Sequence, residues 1–223
     1  MQIRCKIVRC NGLDKKDTNS FMKTLPVKFY DRDTTKVAKE LLGKKLFHRV
    51  NNKLTAGIII ETEAYLGVID PACHTYNGRK TERVRSMYKT GGHSYVYLIY
   101  GLHYCFNVVT RDEEKPEAVL VRALFPVEGI DIMKRRRNLK DKKSTKNLCS
   151  GPGKLCQAMA IDRSCNGLLL TDSQLWIEEQ IPFSKLKKYI ETSKRIGIDY
   201  AGEAVHWPLR FTVPEDAVEN LLR

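Results

Sequence analysis

Residues 57–67 read GIIIETEAYLG, residues 70–88 read DPACHTYNGRKTERVRSMY, and residues 94–109 read SYVYLIYGLHYCFNVV. The first stretch is an apolar run that turns acidic and aromatic with no turn signal, as a strand leaving a core does. If it is extended, residues two apart share a face. Glu61, Glu63 and Tyr65 then lie in a row, with Thr62 and Ala64 opposite. The pattern alone leaves three readings open: carboxylates at the mouth of a core, solvated glutamates on an edge strand, or an acid/base pair for sugar hydrolysis.

The third stretch alternates as a β-hairpin. Tyr95, Tyr97 and Ile99 take one face, and Val96, Leu98 and Tyr100 the other. A reversal near Leu102 would set Tyr97 opposite Asn107. Strand tyrosines are commonly cross-strand packing. Tyr100 differs, because an aromatic beside Gly101 at a hairpin tip is poorly covered by its own domain and can wedge between base pairs. The connecting stretch carries Arg79, Lys80, Arg83, Arg85 and Lys89 with His74 and Thr81, a basic loop.

Working outward, TTKVAKELLG from Thr34 predicts a helix with a Thr N-cap, an apolar stripe at Val37, Ala38, Leu41 and Leu42, and a stop at Gly43. KKLFHRV predicts a strand and NNKLTAG the turn into the central stretch. Downstream, AVLVRALFPVEG predicts a strand carrying one charge. Arg122 there must aim at something acidic, since an unpaired buried charge is costly. Residues 134–147, KRRRNLKDKKSTKN, are the most basic segment and read as either a solvated loop or a phosphate contact. SGPGKLCQAMAI, residues 150–161, reads as a loop entering a helix, with Lys154 in its first turn. It lacks the G-x-x-x-x-G-K-[ST] spacing, which excludes a P-loop ATPase. Residues 184–194 predict a surface helix, and the chain is expected to finish in a short strand.

The 223-residue chain carries a formal charge of +13, with 42% hydrophobic and 29% charged residues. That length and composition suit one globular domain. The surplus of positive charge favours polyanionic partners, nucleic acid or an anionic membrane face. No apolar run reaches membrane-span length, and the start lacks the apolar core of a secretory signal. Its seven cysteines contain no C-x-x-C pair. A disulfide framework, a metal site and a cofactor are therefore not expected. Residues 1–27 read as a basic leader, and residues 28–223 as a single catalytic domain.

Several motifs, in order, resemble a known family: ETEAYLG at 61–67, D-x-A-x-H at 70–74, YVYLIYG at 95–101 with Asn107, SGPGKLCQA at 150–158, RIGI at 195–198, and AGE at 201–203 followed by PLRF at 208–211. The family is the alkyladenine (3-methyladenine) DNA glycosylases of the mammalian type, and the resemblance runs from about Lys28 to Phe211. It implies a monofunctional glycosylase that flips alkylated or deaminated purines out of duplex DNA and initiates base excision repair. By resemblance, Glu63 is the general base, Arg122 holds the attacking water and the Ile196 carbonyl assists. Tyr65 and Tyr97 sandwich the base, His74 reads its edge and Asn107 disfavours guanine's amine. Tyr100 fills the vacated stack, and Arg79, Thr81, Met87, Lys154 and Gly197 fall where the family meets DNA backbone or packs at its interface. The expected fold is α+β, with a curved, mostly antiparallel sheet, flanking helices and a protruding β-hairpin. The expected protein is a nuclear monomer.

The chain departs from the family pattern at Val84, at Gly91-Gly92 in place of Pro-Gly (expected to loosen the approach to the hairpin), and at Leu102-His103. These departures bear on lesion range and DNA grip. Two other functions fit parts of the sequence. A non-catalytic nucleic-acid binder would use the same basic surface and tyrosine wedge, but gains nothing from a carboxylate beside phosphates. A carbohydrate hydrolase using Glu61 and Glu63 leaves the net charge unexplained.

Overall fold

The structure, a computed structural model, describes residues 24–139, 145, 147–171 and 174–223. Helices α1 (Val27–Tyr30) and α2 (Thr34–Leu41) precede the antiparallel pair β1 (Lys45–Val50) and β2 (Lys53–Tyr65). Then come β3 (Ser94–Ile99), β4 (His103–Thr110), β5 (Glu117–Glu128), α3 (Ile130–Arg136) and α4 (Pro152–Met159). The chain ends with β6 (Leu175–Glu178), α5 (Phe183–Leu186), β7 (Glu191–Ser193), β8 (Arg210–Thr212) and α6 (Glu215–Leu222). The strands form one sheet in the order β3-β4-β5-β2-β1-β6, with β8 pairing both β2 and β7. All the strand pairs are antiparallel. The class is α+β.

Strand β2 is central. Its C-terminal half lies between β5 and β8, with Glu63 opposite Leu120 on one side and Arg210 on the other. This rules out the edge-strand reading of the glutamates. The β2–β5 register shifts on either side of Glu61: Ile59 faces Leu124, Glu61 faces Ala123 and Thr62 faces Val121. Arg122 is the extra residue at the second shift. A bulge of this kind re-aims a side chain, and here it turns the guanidinium onto both glutamates.

The period-2 alternation sorts the sheet into two faces. Val96, Phe106, Val108, Val119 and Val121 join the main core, which includes buried residues of α2 and α4. Tyr95, Val109 and Ala118 pack in a second cluster with Cys73, Val84 and Met87. The five described cysteines, Cys73, Cys105, Cys149, Cys156 and Cys165, are free and buried.

Local differences from the sequence expectations have identifiable causes. The N-cap of α2 is Asp33, whose carboxylate accepts from the Lys36 amide. Thr34 instead turns inward to the Thr110 hydroxyl and Glu117. The hairpin register is Tyr97↔Cys105 and Tyr95↔Asn107, two residues away from the expected pairing. The turn centres on Tyr100 and Gly101, both at positive φ (52° and 68°), with the Leu102 amide donating to the Ile99 carbonyl. A two-residue error preserves the faces.

Residues 184–194 do not form one surface helix. Helix α5 stops at Leu186, and Glu191–Ser193 pairs with β8. Beyond the expected last strand lies α6, with Glu215 and Asp216 in its first turn, where they complement the helix dipole. Thr24 bridges to Glu178 and the Leu25 amide donates to Ile177, so the end of the segment read as leader is packed against β6. Residues 1–23 lie outside the described residues.

Gly91-Gly92 does not loosen the approach to β3. Both amides donate, to the Arg111 and Val109 carbonyls, and a Cβ on Gly91 would stand 3.0 Å from the Tyr30 backbone. Within the basic segment, 134–136 end α3, Arg136 donates to the Ala158 carbonyl and Arg137 to Gln157. This part is tied to α4. Residues 140–144 and 146 of the segment lie outside the described residues.

Candidate active site

A cleft of about 720 Å³ opens on the tyrosine face of the sheet. Its walls come from the end of β2 (Tyr65), the 72–74 loop, the β3–β4 hairpin and the segment 196–200. The sequence brings these parts together by parity: Tyr95 and Tyr97, Cys105 and Asn107, and Leu120 and Arg122 stand two apart on neighbouring strands and all reach the cleft.

Glu63 stands behind the cleft wall and is 0% exposed. Its Oε1 accepts the Ile196 amide at 2.8 Å. Its Oε2 accepts the Tyr65 hydroxyl at 2.9 Å and Arg122 Nη1 at 3.3 Å. All three of these partners line the cleft. A carboxylate offers about four acceptor sites, so three bonds leave capacity for one further donor, such as water. Burial pushes the Glu63 carboxyl above the usual carboxylate range, while the Arg122 charge, the Ile196 amide and the Tyr65 hydroxyl pull it back. The contact of Ile196 with Glu63 runs through its amide N–H; the carbonyl role implied by the resemblance concerns a different partner, the attacking water.

Glu61 has a different role. It accepts Arg122 Nε at 2.8 Å and Arg210 Nε at 2.7 Å, forming a chain Glu63–Arg122–Glu61–Arg210. Two carboxylates bridged by one guanidinium do not flank a substrate, which removes the sugar-hydrolase reading.

Two tyrosines and a histidine furnish the walls. The Tyr65 ring lines the cleft while its hydroxyl, held protonated by burial and the nearby Glu63 charge, donates to Glu63. Across the cleft, His74 meets Tyr97 edge-to-face, with centroids 4.6 Å apart, and its Nδ1 lies 2.9 Å from the Tyr95 hydroxyl. Burial, with the charges of Arg83 and Arg79, lowers the His74 pKa to about 4. The imidazole is thus neutral at neutral pH, with one ring nitrogen donating and the other accepting. Asn107 is buried in the cleft wall, and its amide donates to the Tyr95 carbonyl at 2.9 Å.

At the mouth, Tyr100 is 83% exposed and Ile196 50%. Arg79, Thr81, Lys154 and Gly197 are exposed. Met87 departs from that group. At 2% exposure it packs with Cys73, Val84 and Tyr95 and lines the inner cleft, so its side chain is not available to a DNA backbone. Val84 is buried in the same cluster.

Several contributors had no assigned role in the sequence. Arg195 lies over the Tyr65 ring, 4.7 Å from its centroid, and is paired with Asp70. Arg83 lies 5.4 Å from the Tyr97 centroid, and Tyr200 lines the mouth. Arg195 and Asp70 fall in quoted motifs. The available signal was an arginine leading an I-G-I triplet, a charge in apolar company like that of Arg122.

The family model described as methylpurine-DNA glycosylase (MPG) matches residues 28–217. A protein of Desulfitobacterium hafniense is 48% identical over 195 residues, covering 85% of this chain and 95% of that protein. One from Bdellovibrio bacteriovorus is 50% identical over 189 residues (84% and 93%), and one from Clostridium acetobutylicum 47% over 201 residues (87% and 96%). All three are provisionally named 3-methyladenine DNA glycosylases. These relatives are bacterial and give the expected nuclear location no support. No helix among the described residues is long and apolar enough to cross a membrane. With 28–217 matched by the family model and relatives near half identity over most of their length, the chain belongs to the methylpurine-DNA glycosylase family and is a DNA glycosylase, a hydrolase of N-glycosyl bonds.

Proposed function

We propose that this glycosylase extrudes an alkylated or deaminated purine from duplex DNA into the Tyr65–Tyr97 cleft. There it cuts the N-glycosidic bond with a water activated by Glu63, initiating base excision repair. One observation carries the reading: a fully buried glutamate is held by the Tyr65 hydroxyl, Arg122 and the Ile196 amide, each of which also walls the cleft. Burying a carboxylate is costly, and a binding module has no use for one beneath an aromatic slot.

A stacked base cannot be attacked at its sugar with a pocket around it, so it must leave the helix, at a cost of a few kcal/mol that is lower for damaged bases. Stacking on aromatic walls returns about 1–3 kcal/mol per base. Tyr65 and Tyr97 supply those walls, neutral His74 reads the base edge and Asn107 stands against guanine's exocyclic amine. Ionised Glu63 takes a proton from water as its oxygen adds to C1′ and the purine departs, and Arg122 orients that water. Tyr100 fills the vacated stack. Arg79, Thr81, Lys154 and Gly197 meet the DNA backbone. Among the described residues no lysine lines the cleft to form a Schiff base, so the product is an abasic site on an intact strand, and the enzyme acts as a monomer.

The test uses duplex DNA carrying hypoxanthine or ethenoadenine. Wild-type protein is expected to produce alkali-labile sites and no nick before alkali. Glu63→Gln is expected to bind the same duplex without releasing the base. Excision retained in that variant removes Glu63 from its role.

A further inference from the structure

Against the Tyr65 ring lies a fully buried ion pair, neither member of which lines the cleft. Arg195 Nη1 and Nη2 meet the two Asp70 oxygens at 2.5 and 2.9 Å, and both side chains are 0% exposed. Asp70 also accepts the Leu66 and Ala72 amides, each at 3.0 Å. Arg195 Nη1 donates to the Ala64 carbonyl at 3.0 Å, and its guanidinium carbon sits 4.7 Å from the Tyr65 centroid. The next residue along the chain, Ile196, gives its amide to Glu63.

One guanidinium thus ties together three pieces: the end of β2 that carries Glu63 and Tyr65, the 70–74 loop that carries His74, and the 195–198 segment that carries the Glu63 hydrogen bond. A planar fork with several fixed donors suits such a junction, and an ammonium does not. We propose that Arg195, clamped by Asp70, is a positioning residue that fixes the Tyr65 ring and the Ile196 amide against Glu63. The inference rests on Glu63 being the general base.

Loosening this junction acts on Glu63 in a readable way. Glu63 faces Tyr65 and Glu61 on its own strand, Arg122 on β5, Cys105 on β4 and Arg195 on the 195–198 segment. Of its restraining contacts, only the Ile196 amide comes from the segment that Arg195 anchors. Weakening that bond removes a donor that favours the ionised carboxylate. The pH at which Glu63 becomes active must then rise.

The experiment is single-turnover excision of hypoxanthine from duplex DNA by full-length protein across pH, with wild type, Arg195→Lys and Glu63→Gln side by side. Arg195→Lys is expected to be slower by about a hundredfold near neutrality, the effect of displacing catalytic groups by an ångström. Its acid limb is expected to move to higher pH, with part of the rate recovered above it and duplex affinity within about threefold of wild type. If Arg195→Lys does not fold, the paired change D70N/R195Q, which leaves no unmatched buried charge, is read in the same way. A rate loss equal at every pH, or a wild-type profile, overturns the positioning role while Glu63 stands. Excision retained in Glu63→Gln overturns both.

Discussion

The Glu63 centre, buried behind the cleft wall, and the hairpin tip, exposed at the cleft mouth, are built by opposite rules. At the centre, Glu63, Arg122, Glu61 and Arg210 form a continuous ionic chain inside the sheet, and Asp70 and Arg195 form a second, fully buried pair against Tyr65. Every charge there is paired, and Glu61, Glu63, Arg210, Asp70 and Arg195 each draw partners from more than one segment. At the tip, Tyr100 and Leu102 stand in solvent, and Tyr100 occupies a positive φ that few non-glycine residues adopt. The contrast teaches a division of labour. Bond cleavage requires groups held to fractions of an ångström, whereas reaching into a duplex requires a side chain its own domain leaves uncovered. Backbone strain gathers where function supplies the compensation, and Tyr100 fits that pattern.

The contrast breaks first, and with the largest effect, at Glu63. Glu63→Gln is expected to lower excision by about 10²–10⁴-fold, with duplex affinity retained, measured by single-turnover kinetics and by titration of binding. Arg122→Ala comes next. It leaves Glu63 without its nearest cation, and breaking such a buried pair costs about 3–5 kcal/mol, visible in denaturant unfolding. Glu63→Gln should show no such loss. With its carboxyl raised in the folded state, the folded protein binds more protons than the unfolded chain once pH passes the ordinary glutamate value. Stability therefore falls as pH rises through that window. Removing the carboxylate removes that penalty.

The tip should respond more mildly and in a different observable. Tyr100→Ala is expected to shift the flipping equilibrium toward the stacked base by about 1–3 kcal/mol, read from the fluorescence of an ethenoadenine duplex. The pH dependence of the chemical step should stay as in wild type. The smallest effect is expected at the exposed residues proposed to meet the DNA backbone. Lys154→Ala should reduce the slope of log affinity against log salt by about 0.9, one phosphate contact, with the single-turnover rate unchanged. A tip variant that moved the pH profile, or a centre variant that altered only the salt slope, would dissolve the distinction.

The centre was more legible in the sequence than the tip's geometry. An apolar triplet followed by Glu-Thr-Glu-Ala-Tyr announces a strand leaving a core, and Arg122 in an otherwise apolar run had to meet an acid. Alternation alone placed Tyr95 and Tyr97 on the cleft face. The register failed by two because turn geometry fixes it, and nothing in the residue types says that Tyr100 will accept φ of 52°. The choice between Glu61 and Glu63 was also beyond pattern. It depends on bulges in the β2–β5 ladder and on β8 closing the other side, both non-local. Arg195 and Asp70, 125 residues apart, could be joined only by the fold. Met87 was placed at the interface by the family resemblance alone, yet its side chain packs inward with Tyr95.

The most direct test of the account is the pH dependence of single-turnover excision from a hypoxanthine duplex. Two groups could set an acid limb. His74, lowered to about 4, titrates too low to act near neutrality, whereas Glu63 is raised above the ordinary carboxylate range. The prediction is a single ionisation above the ordinary glutamate value, with full rate on its alkaline side, abolished in Glu63→Gln and unmoved in His74→Gln. A limb that survives in Glu63→Gln, or one that disappears with His74, would contradict the assignment of Glu63 as the base.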